Sequence, residues 1–139
     1  MGTGTEEFAA FPEHTRLLLV CVSETFRPLE SPHAPGHLSP YNASRYSWKI
    51  DPLKAKRAEY VMGVCHGDIV GVFQADEWLP AKKANFTDIP DNHGNWGEQK
   101  GRFGFRGSEA PIDVKNRFIG KKVPPEWRFK GNSVLYVNF

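Results

Sequence analysis

An aromatic and cationic cluster, YNASRYSWK at residues 41–49, holds the residue types that most favour ligand contacts. Tyr46 and Trp48 offer ring faces on which a planar base can stack. Ser44 and Arg45 offer hydrogen-bond donors beside those rings, and a cation next to an aromatic face suits a phosphate contact. The cluster therefore predicts a pocket for a base with its phosphate.

Trp78, at the end of a long apolar stretch, can form the opposite wall of such a pocket. A structural alternative exists for every tryptophan here. In a small domain these large side chains usually seal the core, with the indole N–H at its edge. The sequence leaves both interpretations open.

A basic strand, RFGFRG at residues 102–107, is a second candidate for anion contacts. Alternation places its phenylalanines on one face and Arg102 and Arg106 on the other. Residues 100–130 hold nine Lys or Arg against three acidic residues, a distribution that suits a phosphate backbone. Alternatively, the arginines pair with acids or protect a sheet edge.

Proton transfer requires an acid and a base in one pocket. Lys49 follows Trp48, and Asp76 and Glu77 precede Trp78, so Lys49 with one of these carboxylates is the candidate catalytic set. Neighbours on a strand point to opposite faces, so one carboxylate at most would serve. The alternative is that both carboxylates are solvated.

Other common chemistries lack their motifs. The sequence contains no Walker loop, GxSxG elbow, HExxH or CxxC motif. His33 and His37 have helical spacing, but the surrounding prolines forbid the helix, so we predict no metal and no cofactor. Cys21 and Cys65 lie in apolar runs and are predicted to be buried thiols.

Short strands and helices are predicted around these candidates. The predicted strands are 16–23, 102–107 and 133–139, and a hairpin begins at Tyr60. The predicted helices are 52–58 and 111–118. The segments 28–40 and 80–101 are predicted to be loops. Asp51 followed by Pro52 is a typical helix start. Strand 16–23 is apolar throughout, which predicts cover on both faces.

The predicted hairpin turns at Gly67-Asp68. Its two faces would carry Tyr60, Met62, Val64, Ile69 and Phe73 on one side and Val61, Cys65, Val70 and Val72 on the other. Gly63 and Gly71 would lie on opposite faces and mark a bulge, a bend or a close backbone approach. These features predict a small, strongly coiled, mainly antiparallel barrel of five or six strands with one or two short helices, an α+β fold.

The chain's 139 residues fit one domain, with residues 1–14 a loosely ordered N-terminal segment. The acidic start and the short apolar run after it do not resemble a signal peptide. No stretch approaches the ~20 apolar residues of a membrane span. We therefore expect a cytoplasmic protein without membrane contacts.

The hairpin sequence GDIVGVF, within residues 61–73, resembles the core hairpin of PUA-like domains, the superfamily that contains the ASCH, EVE and YTH groups. The helix at 52–58 and the strands near 102–107 and 133–139 are plausible barrel partners. The resemblance implies binding of RNA or DNA, often with a modified base read in a pocket. It also admits small hydrolases of modified nucleosides.

The leading prediction is a nucleic-acid or nucleotide binding module. Tyr46, Trp48 and Trp78 would wall a base pocket, and Arg45, Arg102 and Arg106 would meet phosphate or base edges. One alternative is a hydrolase that uses Lys49 with Asp76 or Glu77. The other is an accessory domain whose aromatic surface meets another protein.

Overall fold

The computed structural model describes residues 7–22, 39–45, 48–87 and 101–139, the side chain of Lys83 excepted. The strands are β1 (Leu17–Cys21), β2 (Tyr60–Cys65), β3 (Asp68–Pro80), β4 (Phe103–Glu109) and β5 (Val134–Val137). The helices are α1 (Pro40–Arg45), α2 (Pro52–Ala55) and α3 (Ile112–Phe118), and a 3-10 turn covers Lys83–Asn85. The α+β prediction is confirmed.

One mixed sheet contains all five strands in the order β4-β3-β2-β1-β5. All neighbours are antiparallel except β1 and β2, which are parallel. The sheet is open, with β4 and β5 at its two edges, so the predicted closed barrel is not confirmed. The outer edge of β4 pairs with Trp48 instead of with β5.

Strand β1 is covered on both faces, as its uninterrupted apolar run predicts. Leu18 and Val20 belong to the core layer shared with α1, whereas Leu17 and Leu19 belong to the layer shared with α3. All four side chains are fully buried. A strand with two buried faces has no polar positions to fill, which explains its sequence.

The turn between β2 and β3 lies one residue earlier than predicted. Cys65 pairs with Asp68, so His66 and Gly67 are the turn residues, with φ of 51° and 85°. A type I′ turn needs positive φ at both positions and matches the twist of the strands it joins. The predicted turn at Gly67-Asp68 is therefore wrong.

A register shift follows at Gly63 and Val64. Beyond it, Phe73 packs on the α1 side and Val72 on the α3 side, so both exchange the faces predicted for them. Gly63 and Gly71 also share a face, against the prediction. Of the predicted alternatives the bulge is found, at Gly63 and Val64. The close neighbours of both glycines are side chains and not another backbone: a Cβ on Gly71 would lie 2.5 Å from Cζ of Phe73, and one on Gly63 would meet the Ser44 side chain.

The predicted helix starts are found in place. The Asp51 carboxylate accepts a hydrogen bond of 3.0 Å from the Leu53 N–H and caps α2, which ends at Ala55, three residues earlier than predicted. Helix α3 ends shortly before Gly120, whose φ is 88°. No helix in the described ranges is long and apolar enough to cross a membrane.

The two cysteines differ in their surroundings. Cys65 is buried, as predicted, whereas Cys21 at the end of β1 is only partly covered. Cys65 packs in the core layer on the α1 side. Cys21 follows Val20 of that layer, so the alternation of β1 turns its side chain toward the other face.

Candidate anion-binding site

The backbone at Trp48 extends the sheet beyond the edge strand β4. The Trp48 N–H donates to the Phe103 carbonyl and the Phe103 N–H donates to the Trp48 carbonyl, both at 2.8 Å. This exchange is an antiparallel bridge. Because the bridge is antiparallel, Lys49, which follows Trp48, lies opposite Arg102, which precedes Phe103.

The bridge brings Lys49 and Arg102 together, although 53 positions separate them in the sequence. Both side chains are exposed, and both line the same pocket. Arg102 is fixed from its other side, because its carbonyl accepts a hydrogen bond of 3.0 Å from the Ala81 N–H. Two cations opposite each other on neighbouring strands can both contact one anion, and a shared anion offsets their mutual repulsion.

The pocket has a volume of about 470 Å³. The described residues that line it are Lys49, Arg102, Gly131, Asn132, Ser133, Val134 and Tyr136. Lys49 and Arg102 are cations, Asn132, Ser133 and Tyr136 carry neutral polar groups, and none of these described residues is acidic. The composition suits a polar anion and disfavours a cation.

Strand β5 and the residues before it form the second wall. The Ser133 carbonyl accepts a hydrogen bond of 2.9 Å from the Cys21 N–H, which attaches this wall to β1. The Tyr136 hydroxyl accepts one of 3.3 Å from the Asp51 N–H at the start of α2. The ammonium of Lys54 lies 4.1 Å from the Tyr136 ring centroid. The wall is therefore held by two other elements.

Ser44 on α1 and Trp48 just after it, both predicted to bind a ligand, lie in the core. Trp48 is 7% exposed, and its indole N–H donates to the Ser44 carbonyl at 2.6 Å. Ser44 is fully buried against Gly63. The Trp48 ring therefore seals the core and offers no open face to a base.

Arg45 is buried as well, at 2% exposure. Its guanidinium carbon lies 4.7 Å from the Tyr41 ring centroid, and its Nη1 donates to the Tyr41 hydroxyl at 3.2 Å. That hydroxyl in turn bonds to the backbone of Gly107 on β4. Tyr41, which Arg45 contacts, thus fastens α1 to β4. Tyr46, the remaining ring predicted here, lies outside the described residues.

Arg106 and Trp78 are on the sheet but do not line the pocket. The Arg106 guanidinium donates two hydrogen bonds, of 3.0 and 2.7 Å, to the Asn85 carbonyl, which ties β4 to the 3-10 turn. The half-buried Trp78 ring lies 5.2 Å from the Phe105 ring. Its indole N–H is buried and has no hydrogen-bond partner among the described residues.

The carboxylates predicted to work with Lys49 are exposed. Asp76 lies at a register shift between β3 and β4, and Glu77 pairs with Arg106 along that ladder. Neither is among the described residues that line the Lys49 pocket. Within the described ranges, no group of three or more His, Cys, Asp or Glu side chains could hold a metal ion.

Asn132, Ser133 and Tyr136 join the pocket without having been predicted as site residues. Their local signal is weak, since GNS followed by an apolar run indicates only a turn and a closing strand. Their role depends on β5 pairing with β1, across most of the chain.

No protein-family model, curated protein or solved structure matches the chain.

Proposed function

We propose that the chain is a nucleic-acid or nucleotide binding module that holds phosphate between Lys49 and Arg102. The supporting observation is the cross-strand placement of these two cations at a pocket whose described lining residues include no acid. Phosphate contacts of this kind supply most of the affinity of non-specific nucleic-acid binding.

The neutral lining residues fit the same ligand. Asn132 and Ser133 side chains can donate to phosphate or ribose oxygens, and such contacts position a nucleic acid without reading its sequence. Tyr136 contributes an aromatic ring at the same pocket. Stacking of a base on an aromatic ring contributes about 1 to 3 kcal/mol. The tyrosine thereby takes the role that the sequence assigned to Trp48.

We also propose that the fold is PUA-like, with a sheet that curls toward closure. Two contacts support this proposal. Trp48 pairs with the outer edge of β4, and Asp51, three residues later, bonds to Tyr136 on the other edge strand. The segment 48–51 therefore spans from one edge of the sheet to the other.

Alanine substitutions at the two cations test the phosphate contact. We expect Lys49→Ala and Arg102→Ala each to weaken binding of a short RNA or DNA about five- to tenfold, a loss of about 1 to 1.4 kcal/mol. Each should also reduce the slope of log affinity against log salt by about 0.7 to 0.9, because one phosphate contact is lost. Fluorescence anisotropy with labelled single- and double-stranded oligonucleotides at several salt concentrations measures both quantities.

Lys56→Ala and Arg117→Ala are the matched controls, since both cations are exposed and neither lines the pocket. They should leave affinity within about twofold, a difference of about 0.4 kcal/mol. Equal losses at all four positions would indicate diffuse attraction instead of a site. A folded protein that binds no oligonucleotide and no nucleotide would refute the proposal.

A further inference from the structure

A second pocket, of about 530 Å³, lies beside the turn of the β2–β3 hairpin. Its apolar lining consists of Phe8, Val123, Pro124, Pro125, Trp127 and Phe129. Gly67 of the turn, Arg128 and Lys130 complete the described lining. Ligand sites for small molecules are commonly of this size, mostly apolar and aromatic, with a few polar groups.

Backbone hydrogen bonds fix the walls of this pocket. Lys122 bonds on both sides of Phe8: its N–H donates to the Glu7 carbonyl, and its carbonyl accepts from the Ala9 N–H, both at 2.8 Å. The Val123 N–H donates to the Gly67 carbonyl at 3.0 Å. The chain segments that carry the lining are therefore held together before any ligand arrives.

Two acidic residues near the pocket form ion pairs with lysines outside its lining. Glu7 forms an ion pair with Lys121 at 3.5 Å, and Asp68 forms one with Lys122 at 2.6 Å. Glu126 is exposed and does not line the pocket. Arg128 and Lys130 are exposed and form no ion pair with any described residue. The pocket thus combines an apolar aromatic lining with two available positive charges.

We propose that this pocket binds a small aromatic anion. One or two fused rings would lie against Trp127, Phe8 and the proline pair, and a carboxylate, sulfonate or phosphate on the ring would meet Arg128 and Lys130. Burial of the rings supplies the hydrophobic contribution, at about 25 cal/mol per Å². The two cations select for the charged group. Among the described residues, this site shares no lining residue with the Lys49 pocket.

Two probes with the same rings separate the apolar contribution from the charge. We expect 2-naphthoate to bind with one-to-one saturation and to change tryptophan fluorescence, because Trp127 lines the pocket. The neutral analogue 2-naphthalenemethanol should bind at least fivefold more weakly. Calorimetry measures both affinities. A folded protein that does not bind naphthoate at millimolar concentration would overturn the proposal.

Substitutions of the two cations test whether naphthoate binds at this pocket. The double variant R128A/K130A should lose at least tenfold in naphthoate affinity and keep its affinity for the alcohol. Both side chains are exposed, so this variant should fold. The control K56A/R117A removes the same charge elsewhere and should bind both probes normally. Unchanged naphthoate binding by R128A/K130A, or equal loss in the control, would overturn the proposal.

Two further arms complete the experiment. Phe8→Ala, at a ring that is 47% exposed, should weaken both probes because it removes apolar lining. Adenosine monophosphate is added to the K49A/R102A variant with naphthoate bound. If it displaces the naphthoate, the natural ligand of this pocket is a nucleotide. If it does not, the natural ligand is an aromatic acid that is not a nucleotide. Because K49A/R102A should still bind naphthoate, the proposal of the phosphate site and the proposal of this pocket can be refuted independently.

Discussion

Lys49→Glu is expected to weaken oligonucleotide binding about ten- to hundredfold, or about 1.4 to 2.8 kcal/mol, while the fold becomes slightly more stable. The loss of affinity exceeds that of the alanine variant, because a carboxylate repels phosphate in addition to removing a contact. The gain in stability arises because glutamate opposite Arg102 converts a like-charge cross-strand pair into an opposite-charge pair. Such pairs contribute roughly 0.2 to 1 kcal/mol.

The two readouts together make the test specific. Urea unfolding measures the stability and anisotropy measures the affinity, both on the same preparation. Lys56→Glu is the control, since it makes the same charge change at an exposed position outside the pocket. If Lys49→Glu lowered stability and affinity together, the loss of binding would be a consequence of misfolding and the phosphate site would lose its support.

Phe105→Ala is expected to destabilise the protein by about 3 to 5 kcal/mol. The Phe105 ring is fully buried on β4. Its centroid lies 5.2 Å from that of Trp78, 6.1 Å from that of Tyr41 and 6.4 Å from that of Phe73. Removing it leaves a cavity that three large rings cannot fill without moving. This is a large part of the roughly 5 to 15 kcal/mol that a domain commonly has.

Thermal or urea unfolding measures the Phe105→Ala effect. Phe139→Ala serves as the matched control, because the Phe139 ring is 37% exposed and packs edge-on against Tyr136 alone among the described rings. We expect the control to cost less than about half as much, since fewer apolar contacts are removed. Similar losses for the two variants would contradict the central position of Phe105 in the core.

Local signals in the sequence correctly predict much of the fold. The Asp51-Pro52 pair identifies the start of α2, because a cap and a fixed φ act within one turn. The apolar run of β1 predicts its two buried faces, and SVLYV predicts β5. Each of these depends on neighbouring residues, which the sequence displays directly.

The hairpin register depends on contacts that local pattern does not contain. A two-residue turn at either His66-Gly67 or Gly67-Asp68 satisfies the apolar alternation. The choice is made by the positive φ that His66 accepts and by the register shift that lets Ser44 lie against Gly63. Because a bulge reverses the alternation of the residues that follow it, the register shift between Gly63 and Val64 explains why Phe73 lies on the face opposite to the predicted one.

The candidate site illustrates the same limit. Residue type alone indicates that Lys49 and Arg102 can bind anions, but the sequence suggests different roles for them, proton transfer for Lys49 and phosphate binding for Arg102. Their pairing depends on the Trp48 to Phe103 bridge, a contact between distant segments. Similarly, composition does not distinguish a tryptophan that stacks on a ligand from one such as Trp48 that seals a core.

The position of β1 has a consequence for the order of folding. Strands β2, β3 and β4 are neighbours in both sequence and sheet, whereas β1 pairs with β2 across residues 22–59 and with β5 near the other end of the chain. Closing those long loops costs entropy before the contacts form, and non-local pairing is slow. In pulsed hydrogen exchange during refolding, we expect β2 and β3 amides to be protected before those of β1 and β5. Simultaneous protection would show that β1 belongs to the folding nucleus.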